Sequence, residues 1–156
     1  MKIMHIAIVG AAVTGLYFMY KKTLPRGVRN NNPLNIRESE GDTTQWQGER
    51  LFDSDAEFEE FKNPAYGFRA GARILRSYNR QGINTLSGII ARFAPSEEND
   101  TDHYVRTISK WTNIPSSVPI NVADNEQLAV VLHAMSRMEV GNYYSLEMAR
   151  KGVAMA

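Results

Sequence analysis

Apolar residues recur at intervals of three and four along the second half of the chain, which is the spacing of one face of an α-helix. Capping residues, glycines and prolines interrupt this pattern, and their positions predict where each helix begins and ends. We expect four helices: from Asn63 to before Gly82, from the Thr85 cap to before Pro95, from about Asp100 through Trp111, and from Asp124 to Met138.

The last of these helices ends in a carboxylate on its apolar face. Leu128, Leu132 and Met135 form a stripe at helical spacing, and Glu139 takes the next step of that stripe. Burial and the negative end of the helix dipole both raise the pKa of a carboxyl group, so Glu139 is a candidate general acid. Gly141 is expected to end the helix in a left-handed conformation. The alternative is an ordinary last-turn glutamate that faces solvent.

An asparagine-rich loop and a short hairpin are predicted before the helices. The stretch Asn30–Ile36 is rich in amides that hydrogen-bond to backbone, and Pro33 disfavours helix in the residue before it. Trp46-Gln47-Gly48, followed by 50–52 and 57–61, shows the alternation and turn residues of an antiparallel hairpin or meander. The expected fold class is therefore α+β and mostly α, with one small sheet near the start of the domain.

The N-terminal segment 1–22 predicts a transmembrane anchor. The stretch from Ile3 to Tyr20 is interrupted only by His5 and Thr14, and a helix of that length spans about 27 Å. Residues 23–28 are expected to form a linker, and 29–156 the domain. The expected localisation is a single-pass protein of a virion membrane or a bacterial inner membrane. The side of the membrane that carries the domain, and the release of the anchor, stay open.

Composition narrows the function classes. With 156 residues, 43% of them hydrophobic and 22% charged, the chain suits one globular domain with a short appendage. The net charge of +1 and the scattered basic residues give no reason to expect a nucleic-acid partner. The absence of cysteine excludes thiolate chemistry. The three histidines are far apart and form no HExxH pattern, so neither a metal nor a cofactor is expected.

The order of motifs resembles the flagellar and autolysin glucosaminidases of the lysozyme-like superfamily. Residues 32–36 resemble the Asn-Leu-Phe-x-Ile segment of that family, 46–48 its Trp-x-Gly hairpin, 58–61 its Phe-Arg-x-Tyr segment, and 100–104 its tyrosine segment. The helix that ends in the catalytic glutamate precedes these motifs in the family. Here its counterpart is residues 138–143, at the other end of the chain, which indicates a circular permutation.

A second resemblance is to phage virion-associated proteins that degrade peptidoglycan. It rests on Arg29–Arg37, Ala94-Pro95 and Glu98–Thr101, and together the two resemblances cover about residues 26–147. They imply a lysozyme-like catalytic domain. They also imply glycan strands of peptidoglycan as the substrate, with other virion proteins as further candidate partners.

Cleavage of a glycosidic bond needs an acid, and most hydrolases add a second carboxylate, for which the sequence offers Glu38, Glu40, Asp42 and Glu49 in or near the predicted hairpin. Glu139 would be the acid that protonates the leaving oxygen of a glycosidic bond, and Glu49 is the candidate second acid if the enzyme is a hydrolase. A lone catalytic glutamate instead suits a lytic transglycosylase, in which one residue acts as acid and then as base. The two reaction types stay open.

Five further residues are candidates for binding the substrate. Asn32 and Asn35 would orient the N-acetyl group or the glutamate, and Tyr104 would flank the cleaved bond. The alternatives are loop amides that satisfy backbone groups and a core aromatic. Trp46 is a candidate for stacking on a sugar, or packs under the hairpin, and Tyr143 is a candidate wall of the cleft.

The expected function is a membrane-anchored enzyme that cleaves peptidoglycan glycan strands, carried by a phage virion or made by a phage for entry or lysis. The alternative is a non-catalytic virion membrane protein with a lysozyme-like domain that binds glycan. A host-encoded wall-remodelling enzyme would carry the same residues.

Overall fold

Six helices account for most of the backbone that the structure describes. The computed structural model describes residues 23–38, 41, 43–52, 54–96 and 100–156. The predicted anchor at 1–22 therefore lies outside the described residues. The helices are α1 Arg26–Arg29, α2 Pro64–Arg80, α3 Leu86–Phe93, α4 Thr101–Thr112, α5 Asn125–Val140 and α6 Leu146–Ala154.

The starts of the four predicted helices are confirmed by their caps. The side chains of Asn63, Thr85, Asp100 and Asp124 each accept a hydrogen bond from a backbone N–H in the first turn of the following helix. Such caps satisfy N–H groups that lack a partner within the helix. The polar residue before each apolar stretch therefore fixes the start of that helix.

Two of the helices were not predicted. The single turn α1 overlaps the end of the predicted linker at 23–28, and α6 follows the last predicted helix. The Ser145 side chain caps α6 by accepting from the N–H of Met148. Helix α6 buries Ala149 and Val153 and packs against both α2 and α5. The C-terminal residues are thus part of the core.

The predicted hairpin or meander, and with it the α+β class, is wrong for the described residues. Their β-type pairing is limited to isolated bridges, and they contain no β-strand. Residues 57–62 divide their backbone hydrogen bonds between two neighbours: Glu59 donates to Ile36, and Lys62 donates to Gly48. Each pairing has a single bridge at its centre, Arg37 with Phe58 and Glu49 with Phe61. Because neither neighbour pairs over several residues, no ladder forms.

The predicted single-pass membrane localisation is also wrong for the chain that the structure describes. No helix within the described ranges is long and apolar enough to cross a bilayer. The longest, α2, has 17 residues and contains four arginines, whereas a spanning helix needs about 20 mostly apolar residues.

Helices α2 and α5 contribute to a core that also includes side chains of α3, α4 and α6. Phe68 and Leu75 on α2 are fully buried, as are Leu128, Leu132 and Met135 on α5, which confirms the apolar stripe on the last predicted helix. Burial of such side chains is the main favourable contribution to folding, at about 1.5–3 kcal/mol for each.

Helix α6 approaches α2 closely because residue 152 is glycine. A Cβ at Gly152 would lie 2.6 Å from the carbonyl oxygen of Ala65 and 3.0 Å from the backbone nitrogen of Arg69. Both of these atoms belong to the backbone of α2 and cannot move aside cheaply. The packing of the C-terminal helix therefore depends on a missing side chain.

We expect Gly152→Ala to lower the free energy of unfolding by about 1–3 kcal/mol, since the added methyl group forces the two helices apart. Urea denaturation of the full-length protein measures this loss. Lys151→Ala, on the exposed side of the same helix, is the matched control and should change stability by less than about 0.5 kcal/mol. Equal stability of Gly152→Ala and the parent protein would contradict this account of the packing.

Candidate active site around Glu139

Glu139 lies in the last turn of α5, one turn beyond the fully buried Met135. The helix ends at Val140, and the Gly141 N–H bonds back to the carbonyl oxygen of Arg137 at 3.1 Å. Gly141 has φ 81° and ψ −167°, so it ends the helix with positive φ but not in the left-handed helical conformation that was predicted. This backbone region is essentially restricted to glycine. The chain therefore turns away directly after the carboxylate.

Two side chains from distant parts of the chain donate hydrogen bonds to the Glu139 carboxylate. The Tyr104 hydroxyl on α4 donates to Oε1 at 2.9 Å, and the Asn35 amide donates to Oε2 at 3.1 Å. Asn35 also contacts the Glu139 carbonyl oxygen at 3.4 Å. Each carboxylate oxygen thus has one neutral donor, which fixes the plane of the carboxyl group.

Burial dominates the electrostatics of this group. Desolvation raises the pKa of Glu139 above its ordinary value, while the hydrogen bonds from Tyr104 and Asn35 lower it and leave a net upward shift. The pKa of Tyr104 is raised well above its usual range by burial and by the neighbouring carboxylate. Tyr104 therefore remains a hydrogen-bond donor, and Glu139 favours its protonated form more than an exposed glutamate does.

The asparagine loop holds Asn35 against the end of α5. Asn35 has φ 46°, in the left-handed region that asparagine tolerates better than most residues. The Asn32 amide donates to the carbonyl oxygens of Ile36 and Glu59 at 2.8 and 3.0 Å. A Cβ at Gly27 would lie 2.5 Å from the Asn32 carbonyl oxygen and 2.6 Å from Val140 Cγ1. A buried glycine in α1 thus lets the loop meet the helix end.

Glu139 opens into a cavity of about 570 Å³, which we call the Glu139 cleft. This volume falls within the ordinary range for small-molecule and substrate sites. The walls combine apolar and polar side chains from the asparagine loop, the segment 57–62, α2 and α3, among them Asn35, Phe58, Ile74, Tyr78 and Phe93.

A second cavity of about 710 Å³ lies beside the Glu139 cleft. The two cavities have five lining residues in common, Ile36, Arg37, Ile74, Tyr78 and Arg92. Because of its lining we call the second cavity the arginine arm; its arginines are Arg37, Arg69, Arg73, Arg80 and Arg92. Basic residues that are scattered along the sequence are therefore brought together by the fold.

The structure brings three of the seven predicted site residues together: Glu139, Asn35 and Tyr104. Trp46 lies apart from these three and lines the arginine arm.

The other three lie elsewhere. Glu49 accepts a hydrogen bond from the Trp46 N–H at 2.8 Å, which closes its own turn, and it does not line the Glu139 cleft. Asn32 is fully buried, and its amide bonds to loop backbone. Tyr143 is 52% exposed and does not line the cleft.

Sequence reasoning did not single out the opposite walls of the cleft. Tyr78 and Arg92 were not among the candidates, and Phe58 was noted only within the 58–61 segment, yet all three line the Glu139 cleft. For α2 a signal was available, because Arg69, Arg73 and Arg80 fall on one face at helical spacing. Within the described ranges, no group of three or more potential ligands is placed to hold a metal ion.

Comparison with known proteins gives a family. No profile of a known protein family matches the chain. The chain is 44% identical over 156 residues to Protein P5 of Pseudoalteromonas phage PM2, and the match covers 97% of this chain and 96% of that protein. The chain belongs to the Protein P5 family. The relationship supports a bacteriophage origin, and the name of the relative says nothing about activity.

We expect Tyr104→Phe to raise the pKa of Glu139 further, because the ionised carboxylate loses the donor to Oε1. Carbon NMR of protein labelled at the glutamate carboxyl carbon, titrated with pH, measures the midpoint directly. Tyr143→Phe is the matched control, since it removes an exposed tyrosine hydroxyl outside the cleft. A midpoint in Tyr104→Phe that is unchanged or lower would show that this hydrogen bond does not stabilise the anion.

Proposed function

We propose that the chain is a phage-encoded enzyme that cleaves the glycan strands of bacterial peptidoglycan, with Glu139 as the catalytic acid. The observation that carries the proposal is the state of this carboxyl group. It is partly buried, has a raised pKa, is oriented by two donors and opens into a cleft of suitable size. A general acid for glycoside cleavage needs this combination of protonation and orientation.

The reaction begins with transfer of the Glu139 proton to the oxygen of the glycosidic bond. The bond between C1 of N-acetylmuramic acid and that oxygen breaks, the neighbouring sugar leaves with its new hydroxyl group, and positive charge develops at C1. The resulting Glu139 carboxylate then takes the proton of the C6 hydroxyl of the same muramic acid residue, whose oxygen bonds to C1. Glu139 is protonated again, and no water is consumed.

We favour this lytic transglycosylase reaction over hydrolysis because of the carboxylates near the site. A hydrolase commonly needs a second carboxylate as base or nucleophile. Glu139 is the one acidic side chain among the described residues that line the Glu139 cleft. Glu49, the candidate second acid, is engaged with the Trp46 backbone and lines neither the Glu139 cleft nor the arginine arm.

Tyr104 and Asn35 are positioning residues in this proposal. When Glu139 is ionised after the first step, both donors stabilise the anion that must accept the second proton. When it is protonated, they keep the carboxyl group aimed at the cleft. They therefore limit the motion of the residue that moves both protons.

The phage relationship gives the proposed activity a context. A phage must cross the cell wall at entry and again at release, and a glycan-cleaving enzyme serves at either step. We propose that the chain acts at one of these steps, with virion proteins as further partners if the step is entry. Peptidoglycan is the proposed substrate in both cases.

We expect Glu139→Gln to abolish release of fragments from purified Gram-negative peptidoglycan, with a loss of at least about a hundredfold, the lower end for a general acid. Glutamine keeps the shape but cannot donate a proton. Glu49→Gln is the matched control and should keep most of the activity, because Glu49 lines neither cavity.

Mass spectrometry of the products belongs to the same experiment. Products that end in 1,6-anhydro-muramic acid are expected, whereas reducing ends would replace the transglycosylase assignment with hydrolysis. Undiminished activity of folded Glu139→Gln would remove Glu139 from the mechanism.

Stability should respond to pH through the same group. The pKa of Glu139 is raised in the folded state, so folding favours the protonated carboxyl group. The resulting contribution to the free energy of unfolding is fully present below about pH 4, near the pKa in the unfolded chain, and is lost as pH rises through the raised pKa. The uncharged Glu139→Gln avoids this loss. We expect the stability of Glu139→Gln relative to the parent protein to increase between about pH 4 and pH 8 in urea denaturation. A constant or falling difference would contradict the raised pKa.

A further inference from the structure

Helix α2 carries four arginines and no acidic residue. Arg76 is turned toward the start of α5, where it donates to the carbonyl oxygen of Val122, before the helix, and to the side chain of Asn125. Arg69, Arg73 and Arg80 line the arginine arm. One face of the helix that supplies much of the core is thus a stripe of positive charge.

The stripe runs along the helix axis. From Arg69 to Arg80 the helix rises about 16 Å. Ser77 lies between Arg73 and Arg80 on the same wall, and Arg92 of α3 adds a further charge beside Tyr78. The wall is therefore extended and basic, and it lies beside the Glu139 cleft.

The charges of Arg73 and Arg80 are not balanced by an ion pair with any described residue. None of the described residues that line the arginine arm is acidic. The ion pairs formed within the described part of the chain use Arg26, Arg50 and Arg150 instead. Like charges four residues apart, as at Arg69 and Arg73, destabilise a helix. A ligand with several negative groups would remove this repulsion.

We propose that the arginine arm binds the carboxylates of the stem peptide that hangs from the glycan strand in the Glu139 cleft. The inference rests on the proposed function and adds to it a preference for glycan that carries peptide. The arm and the cleft have five lining residues in common, so we expect a substituent on a sugar in the cleft to extend toward the arm.

The dimensions and the chemistry favour a short acidic peptide. About five extended residues span the length of the stripe, since each covers at most about 3.3–3.6 Å. The stem peptide has several free carboxylates, and a guanidinium group can bind a carboxylate through two parallel hydrogen bonds. The glycan backbone itself has no comparable run of charge. A nucleic acid is the competing polyanion, and the experiment below distinguishes it.

The test compares full-length protein with Arg73→Ala/Arg80→Ala on two substrates: intact Gram-negative peptidoglycan, and the same material stripped of peptides by an amidase. The parent protein should cleave the intact material faster. The double variant should lose about three- to tenfold of kcat/KM on intact material and almost nothing on stripped glycan, as expected for two partly solvated ion pairs. A retained preference in the variant, or no preference in the parent protein, overturns the proposal.

Arg106→Ala/Lys110→Ala is the control matched in charge. Both residues are exposed on α4 and line neither the cleft nor the arm. Its substrate preference should match that of the parent protein. An equal loss in this control would assign the effect to net charge and overturn the inference.

Direct binding separates this inference from the proposed function. Isothermal titration calorimetry with a synthetic stem tetrapeptide, L-alanyl-γ-D-glutamyl-meso-diaminopimelyl-D-alanine, requires no turnover. Peptide binding that weakens in Arg73→Ala/Arg80→Ala supports the arginine arm as the peptide site even if no glycan is cleaved; in that case only the proposed activity fails. Cleavage of glycan without peptide binding overturns the proposed peptide site and leaves the proposed activity intact. Binding of a short DNA oligonucleotide in place of the peptide assigns the arm to nucleic acid and also overturns it.

Discussion

The contact between Asn35 and Glu139 joins parts of the chain that are 104 residues apart, and the candidate site depends on it. The asparagine loop reaches the end of α5 because Gly27 has no side chain and because Asn35 adopts positive φ. Tyr104 completes the arrangement from α4. Three elements thus meet at one carboxyl group, so an error in packing any of them would change its burial and its pKa.

Helix α2 contributes to the core, to the contact with α6 and to the wall of the arginine arm. Its apolar face fills the core with Phe68 and Leu75, and the part of the helix around Ala65 and Phe68 receives α6 at Gly152. The face with Arg73 and Arg80 forms a wall of the arginine arm. The core and the α6 contact hold this wall rigid, which is what a binding surface for an extended ligand requires.

The fold class could be predicted only in part from the sequence. The starts of the helices could be predicted because capping is local. The side chains of Thr85 and Asp124 each accept a hydrogen bond from a backbone N–H within the next three residues. The sequence did not predict the backbone pairing of the hairpin region correctly. The alternating residues are present, but residues 57–62 form backbone hydrogen bonds partly with Ile36 and partly with Gly48. This division depends on the position of the asparagine loop, which is not a local property of the sequence. Helix α6 was overlooked although Ser145 gives it an ordinary cap.

The sequence by itself determined the four main helices, the apolar stripe on α5 and the place of Glu139 at the end of that stripe, because spacing along one helix fixes which residues share a face. Only the tertiary structure decided that Asn35 and Tyr104 meet this carboxylate while Asn32, Glu49 and Tyr143 do not. It also gathered into one arm arginines from α2, α3 and the loop. Contacts between distant segments depend on how helices pack, and local spacing carries no information about that packing.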